Sequence, residues 1–126
     1  MPSAVAVALG GAAGAVARWG VDRLIERRSV AVFPWSTFAV NVSGCLLIGI
    51  VIAALVDRHH TPLWFRTGLV MGLLGGYTTF STFAQETLDL LRGDAVEVAT
   101  ALAYAGGSLL AGVLAVAAGA AVGRLL

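Results

Sequence analysis

The amino-acid sequence predicts an all-α membrane protein of four transmembrane helices, the third of them broken. Three observations point there. Hydrophobic residues make up 59% of the 126 residues and charged residues only 12%, and the mean hydropathy of +0.91 lies far above the balance of a soluble domain. The apolar residues fall into four stretches, each near the roughly 20 residues that a helix needs to cross a hydrocarbon core. All three tryptophans, Trp19, Trp35 and Trp64, fall at the ends of those stretches, where an interfacial aromatic belt belongs. Residues 1–126 are therefore read as one membrane domain in the cell membrane, with no soluble domain.

The first span covers Ala4 to Leu24. No basic residue precedes it and it has full span length, so it is read as a helix rather than a secretory signal. Gly10, Gly11, Gly14 and Ala15 supply small residues at four-residue spacing, which lets another helix approach closely. Arg18 stands one turn before Asp22, a spacing that predicts a local ion pair or snorkelling to the interface. Arg23, Glu26, Arg27 and Arg28 belong to the first loop.

Pro34 and Trp35 introduce the second span, Ser36 to Val56, which carries Asn41 and the small patch Ser43-Gly44-Cys45. Asp57 to Pro62 is a polar hairpin, whose His59 and His60 are read as solvated because no further metal ligand is near in sequence. The lone Cys45 excludes an intramolecular disulfide and a cysteine metal cluster. A net charge of +1 with no basic patch gives no footprint for nucleic acid.

The third span, Leu63 to Ala84, contains Gly72-Leu73-Leu74-Gly75-Gly76-Tyr77-Thr78-Thr79-Phe80-Ser81-Thr82-Phe83. Glycine destabilises a helix interior and threonine fits it poorly. Non-helical backbone at membrane depth persists only where protein buries it or where it lines a polar cavity. The helix is therefore expected to open between Gly75 and Thr79, freeing carbonyls at an ion site. Gln85 to Asp94 is a polar, helical connector, with Glu86 capping or pairing at the interface. The fourth span, Val96 to Val122, is rich in Ala and Gly and puts Tyr104 and Ser108 on one face.

Eight arginines and no lysine carry the orientation signal. With four spans, Arg58, Arg66 and Arg124 share one side and Arg23, Arg27, Arg28 and Arg92 the other, with Arg18 inside the end of the first span. Three against four is almost no positive-inside bias, which predicts insertion in both orientations and pairing of two opposite copies.

The Gly10-Gly11-x-x-Gly14-Ala15-x-x-Arg18 opening, the Thr37-Phe38-x-Val40-Asn41-x-x-Gly44 core of the second span and the run Gly75-Gly76-Tyr77-Thr78-Thr79-Phe80-Ser81-Thr82-Phe83 resemble the Fluc fluoride channels, the CrcB family. The resemblance covers nearly the whole chain. It implies an antiparallel, dual-topology homodimer with two fluoride pores and a structural sodium ion on the two-fold axis. It further implies that backbone carbonyls of Gly75 and Thr78 from both subunits hold the sodium. Phe80 and Phe83 would line the pores, Asn41 would meet the ion, Tyr104 and Ser108 would extend a polar track along the pore, and Arg18 would stand near a wide vestibule.

Elementary chemistry runs alongside. Fluoride is small and strongly hydrated, so a pore must replace its water with donors. Asn41 offers two amide N–H donors, and Ser81, Thr82 and the neighbouring threonines offer rotatable hydroxyls. Aromatic rings are positive at the edge, so Phe80 and Phe83 can turn ring edges to an anion if the helix resumes by Phe80. Each assignment has a plainer counterpart: ring packing in a dimer core, Asn41 as interhelical glue, and Ser108 with Gly112 as a packing seam beside Tyr104. The main rival function is a small dual-topology, proton-coupled exporter of drugs or cations. Such coupling needs an ionisable group inside the membrane, and none of the seven acids lies well inside a predicted span. No nucleophile–base pair supports an enzyme.

Overall fold

The computed structural model describes residues 2–26, 31–56 and 61–126. Helix α1 spans Pro2–Glu26, α2 Trp35–Val51, α3 Leu63–Thr67, α4 Gly75–Tyr77, α5 Phe80–Leu91 and α6 Ala95–Leu125, and no strand occurs among the described residues. Two stretches have wider π-helical turns. Ile52–Val56 prolongs α2, and Gly68–Leu74 joins α3 to α4. Three helices, Pro2–Glu26, Trp35–Leu55 and Ala95–Leu125, are long and apolar enough to cross a membrane. The third predicted span is missing from that set because it is not one helix.

Two boundaries differ from expectation there. The opening is narrower than Gly75 to Thr79: Gly75 is helical, with φ −65° and ψ −37°, and only Thr78 and Thr79 are extended, at φ −79°, ψ 159° and φ −148°, ψ 113°. The helix survives through Tyr77 because both the amide and the hydroxyl of Thr78 donate to the Leu74 carbonyl at 3.0 Å, closing the last turn. The helix after the break also does not stop at Ala84. It continues to Leu91, since Phe83 and Leu90 face the protein while Gln85 and Asp89 bond to each other on the outer side at 2.9 Å. The chain then turns at Arg92 and Gly93, and Asp94 starts α6 with a capping box completed by Glu97.

The described helices pack as two close pairs, α2 on α6 and α1 on the Gly68–Tyr77 stretch. Small residues make both possible. A Cβ on Gly14 would overlap the Leu73 carbonyl oxygen, and one on Gly119 would overlap the carbonyl of Leu46. No described glycine has positive φ, so these positions supply space rather than unusual backbone. Little is wholly enclosed: Val40 and Tyr104 are the largest fully buried side chains. Leu9, Val16, Leu109, Leu110 and Val113 are exposed along α1 and α6, as expected of surfaces that face lipid or another subunit.

Arg27, Arg28, Asp57, Arg58, His59 and His60, with the loop readings made for them, lie outside the described residues.

Candidate functional site

The break is held open by one side chain. Thr79, extended, cannot place its amide on the Gly75 carbonyl as a helix would; it donates instead to Asn41 Oδ1 at 2.8 Å. Asn41 Nδ2 donates back to the Thr79 carbonyl at 3.0 Å. An amide side chain thus replaces the missing helical partner of the Thr79 amide, as buried backbone groups require, and adds a second donor to the Thr79 carbonyl that opens α5. Val40 is fully buried beside it, and Gly44, one turn on, accepts the Thr78 methyl where a Cβ would collide. Thr79 Oγ1 then caps α5, accepting from the Thr82 amide at 3.2 Å. Ser43 and Tyr77 hydroxyls bond at 2.8 Å across the same pair of helices.

Beside the break lies an open cavity of about 400 Å³, lined among others by Asn41, Gly75, Thr78, Phe80, Phe83 and Ser108. These six residues come from three different predicted spans and meet at one place. Phe80 and Phe83 share a face because α5 begins at Phe80; their ring centroids are 5.7 Å apart at 42°. Phe80 is 79% exposed, so its own chain leaves this wall of the cavity uncovered. Ser108 Oγ is buried, and no hydrogen-bond partner for it occurs among the described residues. Of the Asn41 amide, one Nδ2 proton remains after the bond to Thr79.

The other nominated residues stand elsewhere. Ser81 and Thr82 are exposed, with hydroxyls turned to Thr79 at 3.4 Å and 2.9 Å. Arg18 donates from Nη1 to the Thr78 carbonyl at 3.4 Å. The predicted ion pair with Asp22 is not found among the described residues, because Asp22 takes the Ser36 hydroxyl at the start of α2. Tyr104 does not line the cavity. It is fully buried among Leu90, Ala101, Phe33, Phe38 and Phe83, its ring 5.0 Å from that of Phe83.

Tyr104 leads to the residue that the sequence reading misplaced. Its hydroxyl donates to Glu86 Oε2 at 2.7 Å, and Thr37 Oγ1 donates to Glu86 Oε1 at 2.9 Å. Glu86 is neither a cap nor an interfacial ion pair; it sits mid-helix in α5 and joins α2, α5 and α6. The available signal was its spacing of three from Phe83, which puts both on one face once the helix is known to continue.

The family model described as CrcB-like protein, Camphor Resistance (CrcB), matches residues 5–120. The chain is 47% identical to the fluoride-specific ion channel FluC of Acidobacterium capsulatum over 94% of its own length and 93% of that protein. It is equally 47% identical to the protein of that name from Paracoccus denitrificans, covering 94% and 91%. With the one from Pseudomonas fluorescens Pf-5 it shares 40% over 99% of both chains. The matched stretch contains the whole clamp at Thr79, the cavity and the Glu86 network, and on that footing the chain belongs to the CrcB family, as a multi-pass protein of the cell membrane.

Proposed function

We propose that this chain forms a passive, fluoride-selective channel that lets fluoride leave the cell. The observation that carries the reading is the clamped break: it gathers an amide donor, two phenyl rings and the unpartnered Ser108 hydroxyl around one cavity. Relatives that carry the name fluoride-specific ion channel support the choice of ion. Donors and ring edges suit a small anion, and a nearly apolar wall leaves little for the hydration shell of a larger one.

Phe80 lines the cavity and is 79% exposed, and a second copy seated over it would close the cavity. The even arginine count supports an antiparallel homodimer with two pores. A structural sodium ion at its centre fits the donor chemistry. The Gly75 carbonyl loses its helical partner when the Thr79 amide turns to Asn41, and Thr78 lines the same cavity. The Gly75 carbonyl and the remaining lone pair of the Thr78 carbonyl, which also accepts from Arg18, doubled by a two-fold axis, would supply four hard oxygens. Arg18, 3.4 Å from the Thr78 carbonyl, adds fixed positive charge nearby and favours anions in the approach to the cavity. Replacing sodium by a large organic cation should weaken the dimer on size exclusion; an unchanged dimer argues against a structural ion.

A proton-coupled exporter is the second reading, and Glu86 is the observation that favours it, since its carboxylate is the ionisable group that such coupling needs. Its partner Thr37 is in the first turn of α2, two residues from Trp35, and a tryptophan at a span end supports a carboxylate near a membrane surface rather than mid-bilayer. A proton gradient across protein-containing vesicles separates the two: a channel runs fluoride only down its own gradient, whereas uphill accumulation driven by pH would establish an exporter.

A further inference from the structure

A second cavity, of about 270 Å³, lies between α1 and the first half of the broken span. Glycine makes its floor: Gly10 of α1 meets the Gly68 carbonyl with no room for a Cβ. Ala6, Trp64, Phe65, Leu69 and Leu73 complete the lining, and the Trp64 indole N–H is its one polar side-chain group. It shares no residue with the cavity beside the break, and Val70 and Leu74 line that one where Leu69 and Leu73 line this one. The two therefore open on different faces of the third span. Trp64 and Phe65 are both partly exposed, their rings edge to face at 5.8 Å. Trp64 is in the first turn of α3, at a span end, where tryptophan marks the headgroup level. Leu73 lies nine residues deeper. At 1.5 Å per residue that is roughly 13 Å, near the depth of one leaflet of a hydrocarbon core about 30 Å thick.

Arg66 stands at that same headgroup level, two residues after Trp64 and one turn before Leu69. It is half-buried, and no ion pair for it occurs among the described residues. We propose that a phospholipid of the surrounding bilayer occupies this groove, one acyl chain along Gly10, Leu69 and Leu73 and its phosphate on Arg66. The walls are apolar and one leaflet deep, which suits a hydrocarbon chain, and the cation at the top suits the headgroup. An anionic lipid is preferred, because a basic residue near the surface adds attraction for it. A second copy of the chain fits this face less well, since the exposed Phe80 wall that it would cover belongs to the other cavity. The site needs only the membrane setting. It stands whichever ion the protein conducts, so a failure of the channel reading and a failure of this one are separate results.

The test uses contact quenching of Trp64. Trp19→Phe with Trp35→Phe leaves it as the sole tryptophan. That protein is placed in phosphatidylcholine vesicles containing rising fractions of a phospholipid brominated in mid-chain, and its fluorescence is read. Brominated phosphatidylglycerol should reach half-maximal quenching at a mole fraction about five-fold below that of brominated phosphatidylcholine, the order that one basic residue near the surface contributes. Arg66→Gln should abolish the difference between the two lipids. Leu69→Phe, which narrows the groove, should raise the half-quenching fraction for both. Equal fractions in the parent protein, a preference that survives Arg66→Gln, or values unmoved by Leu69→Phe overturn the proposal. Absence of quenching would mean that a second copy covers this face, and overturns it too. Should the substituted proteins fail to assemble, native protein in detergent decides. Phosphatidylglycerol should raise its unfolding midpoint more than phosphatidylcholine does, and salt at about 1 M should erase that difference. Equal midpoints with the two lipids refute the site.

Discussion

Asn41 and Thr79 exchange a complete amide pair, Nδ2 to carbonyl at 3.0 Å and amide to Oδ1 at 2.8 Å, as if the side chain were one more strand of backbone. Removing it leaves the Thr79 amide without a partner, at a point where the helix before the break cannot supply one. Asn41→Ala should cost about 1–3 kcal/mol for the orphaned Thr79 amide, read as a lower midpoint in thermal unfolding in detergent. Asn41→Asp should be worse than its size implies, because a carboxylate cannot donate to the Thr79 carbonyl. Native stability in both variants would mean that the break holds itself open.

Phe80 and Phe83 are expected to differ in stability while agreeing in function. Phe80→Ile alters an exposed ring and should change the unfolding midpoint by no more than about 0.5 kcal/mol equivalent. Phe83→Ile loses ring contacts with both Phe80 and Tyr104 and should cost about 1 kcal/mol. Both should suppress fluoride flux in an assembled dimer, since isoleucine keeps bulk and removes the electropositive edge. Unchanged flux in both variants assigns the rings to packing.

The close approach of α1 to the Gly68–Tyr77 stretch gives a paired control. A methyl at Gly14 would meet the Leu73 carbonyl, whereas one at Gly20 has nothing within 4 Å. Gly14→Ala should destabilise by about 1–3 kcal/mol through overpacking, and Gly20→Ala should be neutral or slightly stabilising. Gly75→Ala should be nearly neutral, because Gly75 is already helical and its added Cβ meets only Val70 O at 3.7 Å. Equal midpoints for Gly14→Ala and Gly20→Ala would contradict the packing described.

How much of this was legible in the sequence depends on range. The location of the break near Thr78 and Thr79 was readable because threonines and glycines in an apolar run are a local signal. Its width was not, since a Thr78 hydroxyl bond to Leu74 keeps the glycines helical. The end of α5 was hidden because the outward Gln85 and Asp89 resemble a connector until Leu90 is seen buried. Glu86 was out of reach for a different reason. Its partners lie 49 and 18 residues away, and no local pattern announces which carboxylate three helices will enclose.

Orientation is tested by charge. Two or three lysines added to the first loop, or the same number to the second, should bias insertion in opposite senses. Each biased protein expressed alone should lose fluoride transport, and the two expressed together should regain it. Full transport from a single biased variant would contradict the antiparallel pair.

The most direct measurement is efflux from liposomes loaded with fluoride or chloride and containing only the purified native protein, each ion followed by its own electrode. Fluoride should leave down its gradient without any pH difference, while chloride stays at the rate of protein-free vesicles. Equal release of both ions, or fluoride release only when a proton gradient is imposed, would contradict a passive fluoride-selective channel.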